Sequence, residues 1–291
     1  MAFGSMAEII EKCEKEKIEF WQAVLLEDIS ERDTNEEESR EKMCSLWHAM
    51  LESSESYDPH LKSNSGLVGG QGKKMGDYVE KGDSYCGEFV GHVIRRALEM
   101  GESNACMRRI VAAPTAGACG VMPAVLVTLF RERMVDEEKI INALYVSAGI
   151  GQVIAARAFI AGAAGGCQAE IGAASAMAAG ALAYIKGGHG EEISAAAGMA
   201  LQNLMGLVCD PVAGLVEVPC VKRNVVGAVN ALSCADMAAA GLKSAIPTDE
   251  IIDAMREVGE ALPPSLKETG KGGAANTPTG RKIREELMGE G

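Results

Sequence analysis

The sequence predicts an all-α fold, a compact multi-helix domain with Gly- and Pro-rich loops gathered around one site. Three observations lead there. Apolar residues recur every three to four positions through most of the chain, the spacing of a helix face turned toward a core. Alternating β-branched runs of strand length are missing, apart from the short Leu215-Val-Glu-Val218. Aromatic residues make up only 4% of the 291 positions while Gly numbers 34. A core must then be built from small side chains and close backbone approach, which packed helices provide.

In chain order, Met1-Ala-Phe-Gly-Ser-Met6 reads as an added leader before a natural start at Met6 and is kept out of the fold prediction; residues 7–291 read as one domain. Ile9, Ile10, Cys13, Ile18, Phe20, Trp21, Val24 and Leu25 fit a single amphipathic helix over Glu8 to Glu27. A second helix covers Glu36 to Ser53, and the polar turn Ser30 to Asn35 caps it. The pair forms either an N-terminal hairpin or a docking face. Ser63 to Gly72 breaks the periodicity with four glycines in ten residues, as a flexible or an anion-cradling loop does. Helices follow over Asp83 to Met100 and, past the interruption Ala112 to Gly120, over Met122 to Arg133. Further helices are predicted over Glu137 to Ala164, Gln168 to Lys186, Glu191 to Leu207, Val221 to Leu242 and Asp249 to Leu262, each bounded by Gly or Pro. The last stretch, Pro263 to Gly280, is too long and too rich in Gly, Pro and Thr for a simple connector. It is either a loop folded over a site or a loose tail.

The net charge of −13 argues against nucleic acid and anionic membrane surfaces, which reward clustered Lys and Arg. The most apolar stretch, Ala143 to Ile185, carries Arg157, Gln168 and Glu170 and is dominated by Ala and Gly, so a membrane span is not expected. Nine cysteines without a secretion signal suggest reduced thiols in a cytosol, some of them metal ligands.

Three cysteines sit in turn contexts beside helix ends, in Gly166-Cys167-Gln168, Val208-Cys209-Asp210-Pro211 and Pro219-Cys220-Val221. Gly and Pro there fix turns that can aim thiols into a shared space, and helix starts near Cys167 and Cys220 favour the thiolate. The spacing matches no compact zinc or ferredoxin pattern, so buried structural thiols remain the alternative. Cys13, Cys44, Cys86 and Cys106 fall inside helical patterns and read as structural; Cys119 and Cys234 are ambiguous.

The runs Gly162 to Glu170 and Asn203 to Asn224 closely resemble the alpha chain of iron–sulfur-dependent L-serine dehydratases. So do Ala113-Pro-Thr-Ala-Gly117, Ser65 to Gly70, and the tail motifs Glu268-Thr-Gly and Thr277-Pro-Thr-Gly280. The resemblance implies a 4Fe–4S cluster on Cys167, Cys209 and Cys220, with one iron free of protein thiolate to act as a Lewis acid on the serine hydroxyl. It implies conversion of L-serine to pyruvate and ammonia without pyridoxal phosphate, and no lysine here stands in a setting like the usual attachment site of that cofactor. The α-proton base is not identified; Lys222, Glu170 and His60 are candidates, while His48, His92 and His189 lack a catalytic flank. Carboxylate recognition is expected from Ser65, Gly66, Gly69 and Gly70 and from Thr115 and Gly117, with Arg223 and Asn224 as further polar candidates.

Single-chain relatives carry an additional smaller α+β domain with a Ser- and His-rich motif, which has no counterpart here. A separate beta chain is therefore the expected partner. Cysteine desulfidation or threonine dehydration by the same open iron is the nearest competing activity, and a non-catalytic redox or sensing cluster protein the competing class. The latter is expected to bring a full set of cluster ligands.

Overall fold

The computed structural model describes residues 3–289, and helices account for nearly all of its regular structure. The N-terminal part contains α1 (Met6–Glu16), α2 (Phe20–Arg32) and α3 (Glu36–Glu55), then α4 (Gln71–Val79) and α5 (Gly87–Ala105). The central part contains α6 (Val121–Glu132), α7 (Glu137–Arg157), the single turn α8 (Gly162–Gly165), α9 (Ala173–Ile185) and α10 (Gly190–Asn203). The chain closes with α11 (Cys220–Ala239), α12 (Thr248–Ala261) and α13 (Pro278–Met288). Among the described residues there is no strand, only an isolated parallel bridge between Cys209 and Lys267.

At the centre lies α9, whose Ala-rich sequence has high helix propensity; Ala173 to Ala183 is buried throughout. α7, α10, α11 and α6 pack around it. Small residues set the spacing. A Cβ on Gly120, at the start of α6, would lie 2.7 Å from the Ala97 carbonyl of α5 and 3.0 Å from Asn224 Cβ of α11. Larger side chains fill the periphery: Trp47 meets Phe130 edge to face at 5.5 Å and donates from Nε1 to Glu137 at 3.0 Å. α7 is long and apolar enough to cross a bilayer, but its apolar window is 67% buried within the protein, as expected of a core helix.

The ends of the helices depart from the sequence prediction in informative ways. The single helix expected over Glu8 to Glu27 is two, because Lys17 takes a left-handed conformation (φ 56°) that ends α1, and a Glu19–Gln22 capping box starts α2. Asn35 caps α3, its Oδ1 accepting from the Glu38 amide at 3.0 Å. The helix expected to run to Ala164 stops at Arg157, and Ala158 (φ −136°, ψ −130°) turns the chain toward α8. Residues 215–218 form a turn instead of a strand. The presumed leader packs into the fold: Phe3 is buried, Ser5 caps α1, and the Gly4 carbonyl accepts from Arg157. Met1 and Ala2 lie outside the described residues. The tail folds back onto the body and ends in α13, a helix the sequence reading did not foresee, started by Thr277 as N-cap and Pro278 at the first position.

The close approach at Gly120 makes a specific demand on stability. Gly120→Ala must push against backbone at Ala97, and is expected to cost about 1–3 kcal/mol as an overpacked site does. Chemical denaturation should show a lower midpoint at unchanged slope.

Candidate active site

Three turns bring Cys167, Cys209 and Cys220 to one region, each almost entirely buried (3%, 3% and 8% exposed). Cys167 follows Gly166, whose φ of 77° reverses the chain after α8. It leads into a π-helical turn, Gln168–Gly172, an irregularity often found at functional sites. Gln168 staples this turn to its surroundings. Its backbone amide donates to the Leu207 carbonyl at 2.9 Å, its Oε1 accepts from the Gly206 amide at 2.8 Å and its Nε2 donates to Met255 O of α12 at 3.1 Å. Cys209 is held on the other side by the tail: its amide donates to Leu266 O and its carbonyl accepts from Glu268 N, both at 2.8 Å. Cys220 is the first residue of α11, immediately after a cis Val218–Pro219 bond.

Arg223, one turn into α11, lies among them. Its Nη1 donates to Val208 O at 2.7 Å and its Nη2 to Asp210 Oδ1 at 2.8 Å. The guanidinium also reaches the Cys167 thiol. The far oxygen of Asp210 accepts from the Ala274 amide at 2.7 Å, so one buried ion pair joins all three cysteine segments to the tail.

Burial opposes the thiolate form that the helix starts near Cys167 and Cys220 favour. Burial pushes Cys167 up to about 11 against the opposing pull of Arg223. Burial, then the neighbouring Cys167, raises Cys220 to about 12. Cys209 moves furthest in the same direction, through burial and its proximity to Cys167, Glu170 and Cys220. Desolvation is the largest influence on all three thiols. Among the described residues, no three His, Cys, Asp or Glu side chains converge as the ligands of a single ion must.

Glu170 is the acid group beside the thiols. The space where a Cβ on Gly162 would sit is 2.7 Å from Glu170 Oε2 and 3.0 Å from Cys209 Sγ, so glycine there leaves the two side chains facing a common gap. Thr115 donates from Oγ1 to Glu170 Oε1 at 2.6 Å, and Gly117 abuts the same oxygen. Burial raises the Glu170 carboxyl; the Thr115 bond partly offsets this, and Glu268 on the tail adds to the rise. Thr115, Gly117 and Glu170 are thus brought together.

The other predicted residues are either bonded within the packing or exposed. Asn224 is buried and its polar atoms are engaged: Oδ1 accepts from Gly120 N at 2.8 Å, and Nδ2 donates to Gly117 O and Cys220 O. It clamps the Thr115 loop to α11. Ser65 donates to Glu217 Oε2 at 2.5 Å and Ser63 to the same oxygen at 2.8 Å, which links the glycine loop to the turn before Cys220. That loop is internally bonded, with Ser63 N donating to Val68 O and Gly66 N to Ser63 O. Gly69 packs against the backbone at Leu61, and Gly70 caps α4. The anion cradled at this helix start is the protein's own Glu102, which accepts from Gln71 N and Gly72 N. Lys222 and His60 are exposed, and no hydrogen bond or ion pair among the described residues joins either to the cysteines. His48 and His92 pair with Glu137 and Glu132, and His189 caps α10. Cys119 and Cys234 are buried and hydrogen-bonded to Met100 O and Asn230. Asp210, Glu217 and Glu268 were not anticipated; their signal was their position beside Cys209, Cys220 and the tail glycines.

The profile of the serine dehydratase alpha chain family matches residues 12–275. The chain belongs to that family. It is 43% identical over 285 residues to the L-serine dehydratase alpha chain of Peptoniphilus asaccharolyticus, covering 98% of both chains. Identity is 40% over 287 residues to a probable L-serine dehydratase alpha chain of Bacillus subtilis, covering 99% of this chain and 96% of that one. The L-serine dehydratase of Helicobacter pylori is 34% identical over 94% of this chain, which spans 62% of that longer protein.

The Asp210–Arg223 pair should be the weak point of the site. Asp210→Ala leaves a buried guanidinium unpaired and is expected to cost about 3–5 kcal/mol. Hydrogen exchange should accelerate at 266–276 more than in α9.

Proposed function

We propose that this chain holds a 4Fe–4S cluster on Cys167, Cys209 and Cys220 and, together with a beta chain, dehydrates and deaminates L-serine to pyruvate and ammonia. The observation that carries this reading is that three buried thiols from Gly- and Pro-framed turns lie in one region, bordered by Arg223 and by the carboxylates of Asp210, Glu170 and Glu268. The donor set suits a cluster better than a mononuclear metal. Each thiolate of a cluster takes a different iron, so the sulfurs stand farther apart than ligands of one ion, and a bound cationic centre supplies the compensation that deprotonates buried thiols. When bound through three thiolates, such a cluster offers an open iron as a Lewis acid for the serine hydroxyl. Pyridoxal phosphate has no part in the reaction.

The chain's own residues supply the rest. Arg223 offsets the negative charge of the thiolates, and Asp210 fixes its orientation. Glu170, steered by Thr115, accepts the α-proton of serine as hydroxide departs; the aminoacrylate then tautomerises and hydrolyses to pyruvate and ammonia. Gly117 and Gly162 keep space open beside that carboxylate. The tail at Leu266 to Glu268 covers Cys209 and limits water. The alpha-chain names of the relatives and the longer Helicobacter protein support a partner subunit that completes substrate binding.

Four outcomes are expected. After anaerobic reconstitution, Cys167→Ala, Cys209→Ala or Cys220→Ala should each lose the visible charge-transfer absorbance and pyruvate formation, whereas Cys13→Ala keeps both; a full cluster in Cys209→Ala refutes the ligand set. Glu170→Gln should retain the absorbance and lose about 10²–10⁴-fold in turnover. Because the base must be ionised and burial raises its pKa, wild-type activity should climb with pH through a midpoint above the ordinary carboxylate range, and the variant should lack that limb. Adding a beta chain should raise turnover by orders of magnitude. Pyruvate, sulfide and 2-oxobutyrate assays on serine, cysteine and threonine identify the preferred substrate.

A further inference from the structure

A cavity of about 630 Å³ is lined in part by Pro114 and Ile160, from the loops that border Glu170, and lies within the size range of small-molecule sites. α2, α3 and α7 form its walls. Its apolar surface comes from Val24, Met43, Leu46, Ile160 and Met177. At its base Ser39, which is 2% exposed, donates to Asp28 at 2.6 Å and bonds the Tyr145 hydroxyl at 2.8 Å. Both signs of charge stand around this polar end: Asp28 and Glu31 on α2, Arg32 beside them, and Lys42 on α3. Arg32 pairs with Asp28 at 3.1 Å and Glu31 accepts from Gln152. Lys42 has no ion pair among the described residues and is answered only at longer range by Glu38, one turn away.

We infer that this cavity binds a free amino acid with a large apolar side chain, distinct from the serine site. Carboxylates and cations at one end suit the ammonium and carboxylate of a zwitterion, and the apolar wall suits its side chain. Two lining residues connect the cavity to the site. Pro114 precedes Thr115, which bonds Glu170, and Ile160 lies two residues before Gly162, which abuts both Glu170 and Cys209. Occupancy therefore stiffens the two loops that position the carboxylate.

Calorimetric titration of the full chain with L-phenylalanine or L-methionine tests this without any turnover, so its failure is separate from failure of the serine reading. Saturable one-to-one binding is expected, weakened about tenfold or more by Lys42→Glu, which reverses an exposed charge, and by Ala148→Trp, which fills the cavity from α7. N-acetyl-L-phenylalanine and L-phenylalaninamide, each lacking one charge of the zwitterion, should bind at least as poorly as the variants do. Hydrogen exchange at 113–117 and 158–162 should slow in the wild type on adding the amino acid. Absence of binding to the folded wild type, equal binding of the capped analogues, or binding unchanged in both variants overturns the proposal. So does wild-type chain that binds no amino acid while Ala148→Trp blocks association with the beta chain, which makes the cavity a protein-docking groove.

Discussion

The buried pair between Arg223 and Asp210 is the interaction on which the rest of the site depends. Taking both charges out of water costs several kcal/mol per ion before any gain, so the pair persists only because each remaining polar atom has a use. Arg223 reaches Val208 O and the Cys167 thiol; Asp210 reaches the Ala274 amide. Segments separated by dozens of residues thereby acquire one common geometry. Gly273 shows how close the fit is: it takes a left-handed φ of 57°, and a Cβ there would run into the Asp210 carboxylate.

Around that pair the fold uses two kinds of backbone economy. Glycines at 117, 120 and 162 let helices and turns approach within contact of side-chain oxygens, sulfur or backbone. Side-chain amides then do the joining: Gln168 and Asn224 are both buried, and each bridges backbone groups of other elements. An amide offers an acceptor and two donors in a fixed plane, which suits linking two loops to a helix without introducing charge. The charged groups left in the region, Glu170, Glu268, Asp210 and Arg223, are consequently few and close to the thiols.

Much of this was legible in the sequence. The all-α class, the start of α3 at its Asn35 cap, the loop at 112–120 and the turn settings of Cys167, Cys209 and Cys220 follow from periodicity and from Gly and Pro. The misreadings share a cause. Ala158 to Ala164 contains four alanines and continues the apolar pattern of α7, yet the chain turns there and sets Gly162 against Glu170, a partner eight residues on. The π turn after Cys167 likewise leaves no local mark. At the end of the loop Ser63 to Gly72, the amides of Gln71 and Gly72 meet Glu102 on α5, a pairing that no spacing rule connects. The tail was ambiguous because its bonds run to Cys209 and Asp210, more than fifty residues back.

The first helix has a similar dependence on remote sequence. The Asp249 carboxylate at the start of α12 accepts from the amides of Met6 at 2.8 Å and Ala7 at 3.1 Å, so two helix N-termini, each a positive pole, share one negative group across 243 positions. During synthesis from the ribosome, α1 and its Ser5 cap emerge long before this shared carboxylate exists. Its apolar residues Met6 and Ile9, fully buried at the end, are covered only in stages, as α2, α10 and finally α12 pack against the helix. Contacts of such long range are slow to form, and the exposed face in the interval is the kind of surface that chaperones recognise and aggregation exploits.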